Sequence, residues 1–240
     1  MKQIPRAYYS DDVLKVLDFS DYSDFKNSVD SIAETSIDLL SVHRIVISGS
    51  TIDNFDFLEC LPSLEQLSFL GCRSNKWSEL KGNENIISLR LHNLKQGKLY
   101  LPSIAFVSTF PNLQYLYLNM LGIDNLSELL SLQYLHVLFG VFCNTNSVKK
   151  PFDFSALEFL PRLKRFDTWT SVDSHRIPAE NFIPVLKNPS VSSVSVNQMS
   201  QVEERKLQKL IEEINPHILQ PTRAEKLNEI APTLKKYFAW

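Results

Sequence analysis

An apolar motif that returns along the chain constrains the fold more than any other feature of the sequence. Its form is apolar-x-x-apolar-x-apolar, and its copies begin at Val42, Leu64, Ile86, Leu113, Leu132, Leu163 and Val191. The intervals between successive copies are 22, 22, 27, 19, 31 and 28 residues. A repeat of this length forms one supersecondary unit that cannot bury its apolar face alone, so neighbouring units must stack around a shared core.

A second pattern stands directly before most copies and suggests how the chain passes from one unit to the next. It is a pair of apolar residues three positions apart, usually followed by proline. Apolar residues at i and i+3 share one side of a helical turn. Proline then ends the turn and favours an extended chain. The step occurs at Leu58–Pro62, Val107–Pro111 and Leu157–Pro161, and without the proline at Leu129–Leu132.

Over about residues 42–199, the two patterns resemble the leucine-rich repeat family. The resemblance implies an α/β fold: a solenoid of about seven repeats whose parallel strands form one curved sheet on the concave face. The sequence departs from the family at the ninth repeat position, where Asn or Cys normally ties successive turns together. Only Cys72 fits well there, so we expect an irregular solenoid.

The segments on either side of the repeats are predicted to cover the two ends of the solenoid, which would otherwise expose its core. Residues 1–41 are interpreted as an N-terminal helical cap and residues 200–240 as a C-terminal helical cap. Together with the solenoid at 42–199 they form one continuous domain. Helix-like spacing of apolar residues occurs in Asp11–Leu17, Ser23–Leu40, Gln201–Ile214 and Thr222–Ile230.

Composition narrows the class of protein and its surroundings. The chain has 240 residues, 44% of them hydrophobic, and a net charge of −2, which is typical of a soluble globular protein. The charge balance gives no general attraction to nucleic acid or to membrane surfaces. The three cysteines show no paired spacing, and the first residues lack the apolar core of a secretion signal. We therefore expect a cytoplasmic protein that is monomeric when free.

The outward-facing strand positions of the middle repeats are the candidate binding site. Aromatic residues and arginine are enriched among the residues that dominate binding energy. We therefore predict that these side chains form the centre of a partner-binding concave surface. Two alternatives stay open: the aromatic residues only stabilise the sheet, or a cap or the segment 142–151 folds over them. The candidate residues are Arg90, Tyr115, Tyr117, Tyr134, His136, Arg165, Asp167 and Trp169.

The sequence offers little to support catalysis. None of the five histidines stands in a metal-binding spacing, and there is no paired-cysteine motif or glycine-rich phosphate loop. His136 and Asp167 are expected to be neighbours, as a surface ion pair rather than a catalytic dyad, because no nucleophile accompanies them. We predict no catalytic residue, no metal, no cofactor and no enzyme activity.

Two classes of binding protein fit this pattern. The first resembles immunity or inhibitor proteins, in which a small repeat domain neutralises a toxin enzyme; this likeness is one of architecture only. The alternative is an adaptor or substrate-receptor subunit of a larger complex. A toxin gene beside this one would favour the first class.

Overall fold

The computed structural model describes residues 6–10, 14–19, 39–143, 152–169 and 177–220. Its main feature is a nine-stranded sheet in the order β1-β2-β3-β4-β5-β8-β9-β10-β11, beside a two-stranded hairpin of β6 and β7. The strands are β1 (Arg6–Ser10), β2 (Leu14–Phe19), β3 (Val42–Ser48), β4 (Gln66–Leu70), β5 (Ser88–His92), β6 (Lys95–Gln96), β7 (Leu99–Tyr100), β8 (Tyr115–Leu121), β9 (Val137–Cys143), β10 (Arg165–Trp169) and β11 (Ser193–Asn197).

Seven of these strands come from the seven repeats, one from each, and they pair in parallel as predicted. From β3 to β8 the register advances evenly, with Leu67 level with Leu89 and Leu89 level with Leu116. Parallel neighbours require the chain to cross back behind the sheet after every strand. The repeat therefore forms the predicted solenoid, with its strands on one side and its return segments on the other.

The return segments are mostly 3-10 turns. The apolar step found in the sequence places Leu61, Phe110 and Leu160 at the ends of these turns, and all three are fully buried. A turn this short satisfies few of its own backbone groups, so its stability comes from packing against the sheet. The turns are Leu39–Ser41, Asp56–Cys60, Trp77–Glu79, Ala105–Thr109, Ser127–Ser131, Ser155–Phe159 and Ala179–Phe182, the last followed by a short α-helix at Ile183–Lys187.

The core lies between the sheet and the turns, and large aromatic rings fill both of its ends. Near the first repeats, the Phe69 and Trp77 rings meet edge to face at 5.3 Å between centroids. Near the last repeats, Phe154 and Phe166 do the same at 5.2 Å. Such pairs contribute about 0.5–1.5 kcal/mol beyond their area burial. One core cluster runs without a break through all seven repeats.

Hydrogen bonds between successive turns are scattered through the repeats, as the sequence predicted. The Cys72 thiol donates to the Ile47 carbonyl at 3.2 Å, and burial raises the pKa of this thiol to about 11. Near the other end, the buried Asn188 amide donates to the carbonyls of Leu157 and Leu160 at 2.6 and 2.9 Å. Separate hydrogen bonds from different residue types therefore replace the regular series of Asn or Cys hydrogen bonds that ties successive turns together in the family.

The register of the fifth repeat differs from the prediction. The motif was placed to begin at Leu132, but Tyr115 pairs with Val137, Leu116 with Leu138 and Tyr117 with Phe139. The repeat thus begins three residues later, at Leu135. The error has a physical cause: Leu132, Leu135 and Leu138 are equally spaced and all buried, so the leucine pattern fits both registers.

The N-terminal prediction is wrong over Leu14–Leu17. These residues lie in β2, which pairs in parallel with β3, whereas β1 pairs with β2 in the antiparallel sense. The unpaired backbone groups of an edge strand attract a further strand, and this pairing outweighs the local helical spacing. The helix expected over Ser23–Leu40 falls on residues outside the described part, except for the 3-10 turn that begins at Leu39.

The C-terminal helix Gln201–Ile214 forms as predicted. The Ser200 hydroxyl accepts from the Glu203 backbone N–H at 3.3 Å and caps the helix. Leu207 and Ile211 are buried in the core at the end of the solenoid. The second predicted helix, Thr222–Ile230, lies outside the described residues.

We expect the inward leucines of the corrected register to carry the stability of the middle repeats. Leu116→Ala and Leu138→Ala should each lower the free energy of unfolding by about 2–5 kcal/mol, because both side chains are fully buried. Gln114→Ala, at a half-buried position just before β8, is the control and should be nearly neutral. Urea denaturation measures all three; a neutral Leu138 variant would contradict the corrected register.

The C-terminal helix gives a prediction on pH. The Lys206 ammonium and the Ala179 backbone N–H donate to the Glu203 carboxylate, both at 2.8 Å, and they lower its pKa. The folded state thus gains stability from Glu203 above the unfolded-state pKa of about 4.3, and loses it as the pH falls through the lower folded-state value.

Glu203→Gln should therefore lower the melting temperature at pH 7, and the difference from the wild type should shrink at acidic pH. Glu204→Gln is the matched control, since it lies exposed in the same first turn of the helix. A difference that stays constant with pH, or one that Glu204→Gln reproduces, would contradict the role given to Glu203.

Candidate functional site

The concave face brings together six of the eight candidate residues. Arg90 lies on β5, and Tyr115 and Tyr117 lie on β8. On β10, the strand after β9, alternate positions are occupied by Arg165, Asp167 and Trp169. Side chains at alternate positions of a strand share one face of the sheet. The inward positions between them carry core residues, so these six side chains lie on the opposite, concave side.

Tyr134 and His136 do not lie on the concave face. In the corrected register both precede β9, at the edge where the strands begin. Tyr134 is 41% exposed, and the Arg162 guanidinium lies 4.5 Å from the centre of its ring. The His136 carbonyl accepts from the backbone N–H groups of Lys164 and Arg165.

The expected pairing of His136 with Asp167 was therefore wrong. The residue of β9 that is level with Tyr117 is Phe139, not His136. Phe139 is the residue that the sequence analysis missed. The sequence does contain a signal for the correct register: Leu113 and Leu135 are 22 residues apart, which repeats the interval from Leu64 to Ile86.

Tyr117 is the centre of the concave cluster. Its ring stacks on Phe139 at 5.9 Å between centroids, and the Arg90 guanidinium lies 4.9 Å from the centre of the Tyr117 ring. Burial raises the pKa of the Tyr117 phenol, opposed by the nearby charge of Arg90. A guanidinium over an aromatic ring contributes about 0.5–2 kcal/mol, more when it is desolvated.

Gly140 makes room for this cluster. It has a φ of +68°, and a Cβ added there would lie only 2.4 Å from the Tyr117 ring. The pairing of β8 with β9 shifts just after Phe139, as in a β-bulge. The Asn119 amide donates to the Gly140 carbonyl at 3.2 Å and holds the shift. Glycine is therefore required here both for its backbone conformation and for the close approach of a ring.

The middle column of the concave face is buried along all seven strands. Tyr117 is 8% exposed, Arg90 is 5% exposed, and Asp167 is fully buried. The Asn197 amide donates to one Asp167 carboxylate oxygen at 3.4 Å.

The columns on either side are more open: Trp169 is 36% exposed, and Tyr115 and Arg165 are half-buried. A partner that meets this face as it stands contacts the flanking columns first. The middle column, which lies between them on the same face, consists of Val46, Ser68, Arg90, Tyr117, Phe139, Asp167 and Ser195.

The concave cluster consists of aromatic rings and the Arg90 guanidinium. No group of three or more His, Cys, Asp or Glu side chains within them is arranged to hold a metal ion. None of the helices in the described ranges is long and apolar enough to cross a lipid bilayer. Burial, and then the charge of Arg90, lower the pKa of His92 beside the cluster.

Comparison with solved structures agrees with this architecture. Internalin C2 from Listeria monocytogenes matches 76% of this chain and 71% of its own, with a TM-score of 0.52 and 14% sequence identity. The fold is that of a leucine-rich repeat solenoid. Internalin F from the same organism matches 75% of this chain and 47% of its own, with a TM-score of 0.49 and 15% identity. No family model matches the sequence, and neither does any curated protein. At such low identity the likeness concerns the solenoid fold alone.

We expect Gly140→Ala to destabilise the solenoid more than the same change at Gly97. Both glycines have a positive φ, but a Cβ at Gly97 would meet nothing within 4 Å. Gly97→Ala should therefore cost only the backbone strain, about 1–2 kcal/mol. Gly140→Ala should cost about 1–3 kcal/mol more, because the new methyl group collides with the Tyr117 ring.

A double-mutant cycle isolates this collision. Tyr117→Ala removes the ring, so adding Gly140→Ala to it should cost no more than Gly97→Ala costs in the wild type. Chemical denaturation of the four variants supplies the free energies. If Gly140→Ala and Gly97→Ala lower the free energy of unfolding equally while Tyr117 is present, then the Tyr117 ring is not the reason for glycine at position 140.

Proposed function

We propose that this protein is a non-enzymatic protein-binding module whose concave face receives a folded partner protein. The observation that carries the proposal is the exposed Trp169 on one flank of the concave face, with the half-buried Tyr115 and Arg165 on the other flank and the packed Tyr117 and Phe139 rings between them. Tryptophan, tyrosine and arginine concentrate binding energy. Tyr115 packs against the buried Tyr117 and Phe139 rings, so it is ordered before binding, which lowers the entropy cost of association.

Within this class, we propose an immunity or inhibitor role against a toxin enzyme. An inhibitor has to cover an active site tightly without chemistry of its own. A rigid sheet that presents one tryptophan at its side meets this need, since an anchor residue in a pocket gives affinity while the surrounding contacts exclude water. The likeness to known inhibitors is one of architecture. It is supported if a toxin gene neighbours the gene of this protein.

The alternative is an adaptor or substrate-receptor subunit, which would need a free element for docking to a larger complex. A terminal helix could serve as that element, and Gln201–Ile214 is the terminal helix of the described residues. Four of its five apolar side chains, Leu207, Leu210, Ile211 and Ile214, pack against the solenoid core, and Val202 remains exposed. This helix therefore packs as part of the solenoid and is not free for docking, so we favour the inhibitor role over the adaptor role.

We also propose that the protein works as a monomer in a reducing, cytoplasmic compartment. The Cys72 thiol is free and fully buried, and it serves as a hydrogen-bond donor within the core. A thiol in this role is compatible with a compartment that keeps cysteines reduced.

The proposal predicts that Trp169→Ala weakens binding of the partner by about 2 kcal/mol or more, while the melting temperature stays close to that of the wild type. The partner is first isolated from the native organism with the wild-type protein and identified by mass spectrometry. Calorimetry then compares Trp169→Ala with Ser193→Ala, a small half-buried residue on the neighbouring strand β11.

Unchanged affinity of the Trp169 variant would exclude the concave face as the main contact. If the partner is an enzyme, an activity titration tests the inhibitor role directly. Stoichiometric loss of its activity supports that role, whereas full activity in the saturated complex supports the adaptor alternative.

A further inference from the structure

A second surface lies across the edge where the strands begin, away from the concave face. We call it the edge groove, a cavity of about 650 Å³ whose lining includes His43, Glu65, Glu84, Asn112, Gln114 and Tyr134. It extends over the starts of five neighbouring repeats. Its volume falls within the range of about 300–1,000 Å³ typical of ligand sites.

The floor of the edge groove is held by hydrogen bonds between successive repeats. The Asn85 amide donates to the Pro62 carbonyl, and the Asn112 amide donates to the Glu84 carbonyl, both at 2.8 Å. Backbone bonds reinforce this floor, since the Glu65 N–H donates to the His43 carbonyl at 2.9 Å. The groove is therefore formed before any ligand arrives, which favours binding.

The charge changes sign along this edge, from the acidic end of the edge groove to the surface just beyond Tyr134. At the end near β4 and β5, Glu84 is exposed, and Glu65 lies 3.3 Å from the His43 ring nitrogen. This end is acidic.

At the other end, just past Tyr134 and outside the lining of the groove, Arg162 stacks on the exposed Tyr134 ring, and Lys164 follows it. The pKa of His136 there is lowered by partial burial and then by the charges of Lys164 and Arg162. That end is basic and offers an aromatic surface.

The spacing of the strands gives the length of a ligand that reaches both ends. Glu84 precedes β5 and Arg162 precedes β10, so three strand intervals separate them, or about 14 Å. From Glu65 to Arg162 there are four intervals, or about 19 Å. An extended chain advances about 3.3 Å per residue, so the two distances correspond to about four to six residues.

We propose that the edge groove binds an extended peptide segment of a partner protein, with a basic residue at the Glu65–Glu84 end and an acidic residue at the Arg162 end. An apolar side chain of the segment packs on Tyr134. A nucleic acid fits poorly, because the carboxylates repel its phosphates. This site is separate from the concave face, so it stands or falls independently of the function proposed above.

The test uses a phage-displayed library of random peptides, selected on the wild-type protein. The selected peptides should share a Lys or Arg separated by about four to six residues from an Asp or Glu. Affinities of one selected peptide are then measured for the wild type, Glu84→Lys, Arg162→Glu, Tyr134→Ala and the concave control Trp169→Ala. We expect a loss of about tenfold or more for the first three variants and no change for Trp169→Ala.

A charge exchange sharpens the result. The double variant Glu84→Lys with Arg162→Glu should bind the same peptide poorly and should regain affinity for a peptide with its two charges exchanged. Selected peptides without the charge spacing, or equal binding by Tyr134→Ala, would overturn the proposal. So would a wild-type dimer in sedimentation that Glu84→Lys dissociates, because a second copy would then occupy the groove.

Discussion

Burial of one inward column of side chains is the constraint on which the rest of the structure depends. Leu67, Leu89, Leu116, Leu138 and Phe166 succeed one another in register across the strands, and each is almost fully buried. A slip of one residue would turn such a strand's side chains to the wrong face of the sheet. The core thereby fixes the register, and the register in turn decides which side chains become neighbours on the outer faces.

Two surfaces of different character follow from this single register. On the concave face, the outward residues alternate with the core column, and large rings and a guanidinium pack there around Tyr117. At the edge, the residues just before each strand are polar and held by side-chain amides. The first surface is preorganised by packing and the second by hydrogen bonds, so substitutions in one are expected to leave the other intact.

The fold was predictable because its signal recurs seven times, so that one misplaced copy does not change the architecture. The site was predictable only where a single register fits the sequence. In the fifth repeat, leucines three residues apart fit two registers, and Gly140 interrupts the correct one at the sixth position of its motif. The bulge that explains this glycine exists because the Tyr117 ring lies against it, a contact between repeats that no local pattern contains.

The N-terminal strands escaped prediction for a related reason. Leu14–Phe19 is short and has no strict alternation, and its strand state depends on the free edge of β3. Local spacing describes what a segment prefers alone, whereas this segment is determined by the partner that the fold offers it.

The reversal at the first strand has a consequence for how such a protein can lengthen. Because β1 runs antiparallel to β2, a copied repeat added before β1 would face a strand of opposite direction, and its hydrogen-bonding pattern would differ from that of the parallel junctions between repeats. At the far end, the C-terminal helix packs into the core, and Leu219 bridges to Ser193 on β11. A repeat inserted between two existing ones keeps parallel neighbours on both sides, so its backbone hydrogen bonds match those of the other parallel junctions.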